Sequence, residues 1–504
     1  MKNKTILHRA LCLAAVILLF VPVLAGEILA ADAWTSEGFS SPDALHDGNY
    51  NTYSKAKDGG TVSLTSDAGI ASVYVVFDRV PSAWSLTDGT DTVECGQNGF
   101  LHEFVDVAAH LGSAPTSLTL TFPENTSVAD IYTFPEGDLP DWVQIWQPPC
   151  EAADILLLSS HSDDEQLFFA GVLPLYAGER GLDVQVVYLV NHFDTHNRPH
   201  EQLNGLWEVG VRHYPVISDF PDLYSESLDG VIAIYKSYGH SYEDFCRYIT
   251  DCLRRFRPQV LITHDTEGEY GHGTHILCTA AVQESLVFAA DASVYPESAA
   301  AYGPWDVPKT YLHLYKENPI VMDYDVPLSA FGGKTAFQVS QDGFAHHKSQ
   351  HWTWFYNWIY GKKASPITQA SQINYLSPCR YGLYRSTVGV DVTGGDFFEN
   401  LTSYAEQKAA EEAAKQQETV PPDTEVIPDT EDTADVPGTD TDVVTDPPIT
   451  SAPTTADPPS TVDPPASDRP SAAVFILVAI AVAGALLAAI LLPMWRNPAK
   501  KHKR

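Results

Sequence analysis

The chain has 504 residues, with 30 lysines and arginines against 65 aspartates and glutamates, for a formal net charge of −35. That balance argues against a nucleic-acid partner, whose binding depends on basic side chains neutralising phosphates. The 7 cysteines include no CxxC pair, which argues against a thiolate metal site.

Residues 1–31 read as an export signal. Lys2, Lys4 and Arg9 give a positive start, residues 11–24 an apolar stretch, and Leu29-Ala30-Ala31 or Ala31-Asp32-Ala33 a small-residue cleavage site. An uncleaved N-terminal anchor is the alternative. Cleavage removes Cys12 and leaves Cys95, Cys150, Cys246, Cys252, Cys278 and Cys379, which are free to pair in an oxidising compartment.

Residues 32–148 form the next unit. Short alternating runs at 61–65, 72–77 and 117–122 are separated by Gly, Pro and Asn turns, with no long helical period. That pattern predicts an all-β sandwich module. Leu45-His46-Asp47-Gly48-Asn49-Tyr50-Asn51-Thr52-Tyr53, with the later apolar strand ending in Phe77-Asp78, resembles the opening of discoidin-type modules. The resemblance implies glycan binding on the loops at one end. A spacer or packing role is the alternative, because Asp-Gly-Asn is also a good turn.

Past Pro148-Pro149, residues 149–400 change to a β-α-β-α pattern. Buried strands are expected at 155–158, 184–190 and 259–263, and helices at 165–180, 198–209, 242–256 and 272–286. Wholly apolar strands joined by helices predict an α/β, Rossmann-like, mostly parallel sheet covered on both faces. Sites in such sheets form beyond the carboxyl ends of the strands.

Two of those strand ends carry chemistry. The first runs Ser159-Ser160-His161-Ser162-Asp163-Asp164-Glu165. Ser162 and Glu165 alone fit a capping box, but a cap does not account for the histidine. The second runs His264-Asp265-Thr266-Glu267-Gly268-Glu269-Tyr270-Gly271-His272-Gly273-Thr274-His275, with His272 and His275 three apart at a helix start. Histidine and carboxylate at two ends of one sheet point to Zn2+, held by three protein ligands with a position left for water. A carboxylate beside it serves as general base, and a non-ligand histidine supports an oxyanion.

The C-terminal part begins with a short helix at 401–417. A Pro/Thr/Asp-rich, extended and disordered stalk is expected over 418–470. An apolar run at 471–492 is long enough for one transmembrane helix, and the tail at 493–504 is basic, with Arg496, Lys500, Lys501, Lys503 and Arg504. The expected arrangement is single-pass type I, with the catalytic domain extracytoplasmic.

His161-Ser162-Asp163-Asp164-Glu165 resembles the His-Pro-Asp-Asp-Glu signature of the PIG-L/LmbE-like N-acetylglucosaminyl deacetylases. Gly271-His272-Gly273-Thr274-His275 resembles that family's Gly-His-Pro-Asp-His, and His347-Lys348-Ser349-Gln350 its late His-x-Ser-Gln element. The resemblance covers about residues 153–387 and implies His161, Asp164 and His275 as metal ligands. Asp163 is implied as the base, and His272 as oxyanion stabiliser and proton donor to the amine. Tyr270 and Arg198 are implied as substrate contacts, with a helix-start ion pair between Arg198 and Glu201 as the alternative. Ser162 departs from proline and Gly273-Thr274 from Pro-Asp, changes expected to loosen the loops. His192, where relatives carry glycine, is expected to narrow or repolarise the pocket mouth. The implied function is zinc-dependent hydrolysis of the N-acetyl amide of an N-acetylglucosamine-type glycan or glycoconjugate at the cell surface. The alternatives are a glycan-binding protein with a degenerate deacetylase-like domain, or a zinc amidase for another acylated amine.

Overall fold

The computed structural model describes residues 31–418. The expected export signal, stalk, membrane helix and basic tail lie outside the described residues. Among the described residues, no helix is long and apolar enough to cross a membrane.

Eight strands come first: β1 (Ala33–Phe39), β2 (Ser54–Thr65), β3 (Ser72–Phe77), β4 (Trp84–Thr87), β5 (Thr92–Cys95), β6 (His102–Asp106), β7 (Ser117–Phe122) and β8 (Ser127–Phe134). They pair antiparallel in the order β5-β4-β7-β2-β8-β3-β6, with β1 on β2. β2 belongs to two layers. Its Ser54 and Lys55 pair with β8, and its residues 60–65 pair with β7. The strand turns between them at Gly59, whose φ of +89° suits glycine. A Cβ on Gly60 would lie 2.6 Å from the Phe39 ring. Val62 and Leu64 of β2 and Leu118, Leu120 and Phe122 of β7 are buried in the core, and burying each such side chain contributes about 1.5–3 kcal/mol.

The second sheet holds β9 (Ile155–Ser159), β10 (Val184–Tyr188), β11 (Val216–Ile217), β12 (Val260–Thr263), β13 (Lys309–His313) and β14 (Pro319–Val321). After a small hairpin, β15 (Gly361–Lys362) with β16 (Ser365–Pro366), the chain adds β17 (Arg380–Ser386). The order is β11-β10-β9-β12-β13-β17-β14, parallel from β11 to β13 and antiparallel beyond. The chain leaves β9 to one side for β10 and β11, then crosses back to add β12 and β13 on the other. The strand order therefore reverses between β9 and β12, and a crevice opens beyond their carboxyl ends.

Successive residues of β9 face opposite layers, as strand geometry requires. Leu156 and Leu158 pack with helices Leu228–Ser237, Tyr242–Phe256 and Gly273–Ala290. Ile155 and Leu157 pack with helices Arg198–Glu208 and Ala336–Ala345. The helix expected over 165–180 is broken into a short helix, Asp164–Leu167, and a π-helical turn, Pro174–Glu179. Gly171 lies between them at φ +101°, where a Cβ would meet the Tyr324 ring at 2.2 Å, and Pro174 has no N–H to continue the ladder.

The described residues fall in one compact unit, and the sandwich shares a continuous apolar core with one face of the α/β layer. Phe100 stacks on Tyr214 at 4.4 Å, and Trp146 meets Trp207 at 5.5 Å. Polar contacts complete the join: His102 Nε2 lies 2.8 Å from His200 Nδ1, and His196 Nδ1 lies 2.6 Å from Asp78. The six described cysteines are buried and unpaired.

Candidate metal and catalytic site

The chain leaves β9 into the loop of His161 and Asp163, and leaves β12 into the loop that ends at His272 and helix Gly273–Ala290. Both loops enter the crevice where the strand order reverses. His161 Nδ1, Asp164 Oδ2 and His275 Nε2 converge there, with separations of 3.1 Å (His161–Asp164), 3.3 Å (Asp164–His275) and 3.1 Å (His161–His275). Ligands at about 2.0–2.1 Å from a tetrahedral centre stand about 3.3 Å apart, so the triangle fits one face of a metal's coordination shell. The cage also favours a cation. Burial works against charge on His161, but Asp222 and Asp164 raise its imidazole to about 10.

The surrounding residues fix which nitrogen faces inward. Glu269, fully buried, has Oε2 2.7 Å from His275 Nδ1 and 2.8 Å from His264 Nδ1, and Oε1 2.6 Å from His313 Nδ1. A proton on His275 Nδ1 leaves Nε2 bare for a metal, the arrangement that commonly orients a histidine ligand. Burial opposes charge on Glu269, yet His264, His275 and His313 hold its carboxyl well below the usual range. His264 Nε2 lies near the cage too, 3.6 Å from Asp164, but it accepts the Ser160 N–H at 2.8 Å and so has no lone pair to offer. On the other side, Asp222 Oδ1 stands 3.3 Å from His161 Nε2, near enough for charge pairing but not aligned as a hydrogen bond. Burial alone would raise the Asp222 carboxyl, but His161, His192 and Arg198 hold it low.

The remaining predicted site residues gather around this cage. His161, Asp163, Arg198, Tyr270 and His272 line one open cavity together with Asp222. Asp163 sits at φ 128° and ψ −26°, a strained backbone for a residue with a Cβ. Its N–H donates to Glu165 Oε2 at 3.0 Å, so the expected capping box is not formed and Glu165 instead holds the strained turn. His347, from the late His-x-Ser-Gln element, backs Glu165 with Nε2 3.5 Å from Oε1. Burial, the leading influence, raises the Asp163 carboxyl to about 7 against the pull of Arg198. Arg198 donates to Ser162 O at 2.7 Å and lies 3.4 Å from Asp163 Oδ1. It does not pair with Glu201, whose carboxylate takes the Ser349 N–H and hydroxyl. His272 Nδ1 accepts the Thr274 N–H at 3.2 Å, which caps the helix and leaves the ring proton on Nε2. Burial, with His161 and His275 nearby, depresses this imidazole to about 2, so it is a neutral donor.

The departures noted in the sequence compensate for one another. Ser162, unlike proline, has an N–H, and it donates to His192 Nε2 at 3.3 Å. His192 Nδ1 lies 3.5 Å from Asp222 Oδ2. His192 is therefore buried beneath the site and is not among the cavity's lining residues, contrary to the expectation of a narrowed mouth. Gly273 donates to Ser225 O at 2.7 Å, a bond proline cannot make, and a Cβ there would meet Ser225 O and Ser227 O at 2.8 Å. Thr274 Oγ1 donates to Leu223 O at 2.9 Å. The expected loosening is replaced by a loop pinned to the helix start. Asp222, Glu269, His264 and His313 had not been given roles from sequence. Glu269 and His264 lie inside the polar stretch after β12, whereas Asp222, in a Pro-containing loop, carries no local signal.

Residues 156–286 match the family described as PIG-L, GlcNAc-PI de-N-acetylase. This stretch of the chain is a PIG-L domain. A 1D-myo-inositol 2-acetamido-2-deoxy-alpha-D-glucopyranoside deacetylase 2 from Saccharopolyspora erythraea is 35% identical over 112 residues, covering 21% of this chain and 39% of that protein. A deacetylase 1 of the same description from Catenulispora acidiphila is 26% identical over 184 residues, covering 32% and 56%. The chain thus spans about half the length, or less, of these relatives. Among solved structures, an N,N'-diacetylchitobiose deacetylase from Pyrococcus horikoshii is 15% identical with a TM-score of 0.33, covering 47% of this chain and 86% of that one.

Proposed function

We propose that this protein is a zinc-dependent N-deacetylase that hydrolyses the N-acetyl amide of an N-acetylglucosamine-type sugar outside a cell membrane. The observation that carries the reading is the triangle of His161 Nδ1, Asp164 Oδ2 and His275 Nε2, with Asp163 and His272 lining the adjoining cavity. Held by those three residues, zinc would supply an acidified water and polarise the amide carbonyl. Asp163 takes the proton of the attacking water, a task its raised carboxyl suits near neutral pH. His272 offers Nε2–H to the carbonyl oxygen as that oxygen gains charge. As the C–N bond breaks, the proton on Asp163 passes to the departing amine, leaving acetate and a free amino sugar. Protonation of the departing amine by His272, the role the resemblance implies, is the alternative to this transfer from Asp163.

The basic tail, the apolar run at 471–492 and the N-terminal signal support tethering to the membrane with the site outside. The test is acetate release by the purified full-length chain in detergent, loaded with zinc. The panel comprises N-acetylglucosamine oligomers, peptidoglycan fragments and N-acetylglucosaminyl-inositol. Release from at least one is expected. A protein that binds zinc stoichiometrically and releases acetate from none of them would end the reading.

A further inference from the structure

A row of aromatic rings leads out of the cavity to the protein surface. Tyr270 lines the cavity, with its ring 5.6 Å from both His272 and His275. Trp354 stands 5.9 Å from Tyr270, and Tyr375 stands 6.5 Å from Trp354. Exposure grows along the row, to 45% at Trp354 and 62% at Tyr375. Trp352, two residues after the cavity-lining Gln350, is 84% exposed. On the His272 side, Tyr224 lies 5.0 Å from His272 and is also largely exposed.

Large rings left in water forfeit the burial that normally holds aromatic side chains in a fold, so a contiguous group around one opening marks a binding surface. The backbone that carries the row is held from behind at two points. Trp358 Nε1 donates to the Tyr375 carbonyl at 2.9 Å, and Gln341 Nε2 donates to the Ile359 carbonyl at 2.8 Å. Their faces are flat, apolar and uncharged, with a hydroxyl or indole N–H at the edge. Such faces suit the C–H faces and ring hydroxyls of pyranoses. Successive rings along Tyr270, Trp354 and Tyr375 stand 5.9 and 6.5 Å apart and are turned 86° and 41° to one another, so they offer faces in different directions around the opening.

We propose that this row binds the successive sugar rings of an N-acetylglucosamine oligomer or polymer, so that the substrate is a glycan chain and not a lone sugar conjugate. The inference rests on reading the cavity as the acetamido-sugar site. The terminal or internal sugar to be deacetylated lies over the cage, its neighbours stack along Trp354 and Tyr375, and the exposed Trp352 ring extends the surface beyond them.

The experiment measures binding and turnover separately on the full-length, zinc-loaded chain. Binding of short and long N-acetylglucosamine oligomers and of N-acetylglucosaminyl-inositol is followed by tryptophan fluorescence in the Asp163→Asn protein. Acetate release from the same ligands is followed in the protein with Asp163 intact. Affinity is expected to rise with oligomer length. Tyr375→Ala and Trp352→Ala should each weaken binding of the long oligomer about three- to tenfold, the worth of one aromatic contact, and weaken the single-sugar conjugate much less. Affinity that is independent of length, or equal losses on long and short ligands, overturns the proposal. Length-dependent binding without acetate release would remove the deacetylase reading and leave the aromatic row as a glycan site. Acetate release with no effect of length would do the reverse.

Discussion

Ser162 donates one hydrogen bond to His192, yet that bond sits at the start of a chain of contacts that reaches a proposed metal ligand: Ser162 N–H to His192, His192 to Asp222, and Asp222 to His161. Removing the partner behind a ligating histidine commonly costs about 10–100-fold in metal affinity. Asp222→Asn and His192→Ala should each lower zinc affinity in that range. Because both act through one chain, the double variant should lose less than the product of the two, as residues in contact do. Multiplicative losses in a competition titration would show that the contacts are independent. Among the inner residues, His161→Ala, Asp164→Ala and His275→Ala should lower zinc occupancy. Asp163→Asn should retain zinc and lose about 10²–10⁴-fold in turnover, the usual contribution of a positioned base. Loss of metal from Asp163→Asn, with retention in Asp164→Asn, would reverse the two assignments. The inner residues were legible in sequence because each follows an apolar strand with an abrupt run of His and carboxylate. Asp222 was not, since only the packing of the loop at 218–227 against helix Gly273–Ala290 brings it to His161.

Helix Arg198–Glu208 connects the site to the sandwich. Arg198 at its start reaches Asp163, while His200, two residues on and so on the opposite side of the helix, meets His102 of β6 and the Tyr50 ring beside the Asp47-Gly48-Asn49 turn. That loop resembles a glycan-binding module's opening, and here its tyrosine packs inward on a helix of the α/β layer. Deleting residues 34–146 should therefore lower turnover of polymer and single-sugar substrates together, with loss of soluble folded protein. Retained turnover on the short substrate would show that the sandwich is separable. The join also responds to acid. Burial is the main cause that lowers His200 from 6.5 to about 4. The unfolded chain binds the proton first as pH falls, so this stabilisation is complete above about 6.5 and lost as pH falls through about 4. The window corresponds to about 3 kcal/mol. Melting temperature should fall over that range, and His200→Gln should flatten the fall; an unchanged profile in the variant would locate the acid sensitivity elsewhere. The elements themselves were largely legible, with β3 and β7 matching the alternating runs at 72–77 and 117–122. The break within 165–180 was harder to read, because the apolar period runs on through it and only the Tyr324 ring, from far along the chain, forces Gly171 out of helix.

At the scale of the whole molecule, the proposed arrangement has an acidic stalk at 418–470 between the described unit and a membrane anchor. Protease added to intact cells should cut within that segment and release a soluble fragment that keeps its zinc and its activity. Activity that stays wholly cell-associated and protected would rule the arrangement out. The core shared by the sandwich and the α/β layer has a further consequence, for descent. Modules that travel between genes as independent cassettes must arrive with their own finished surfaces. Here the buried Phe100 and Trp146 on one side pack against the half-buried Tyr214 and Trp207 on the other. A recombination event that carried off residues 149–400 alone would expose those rings to water. The two halves are thus bound to be inherited as a pair, and substitutions on either side of the join are expected to be tolerated only alongside changes on the other.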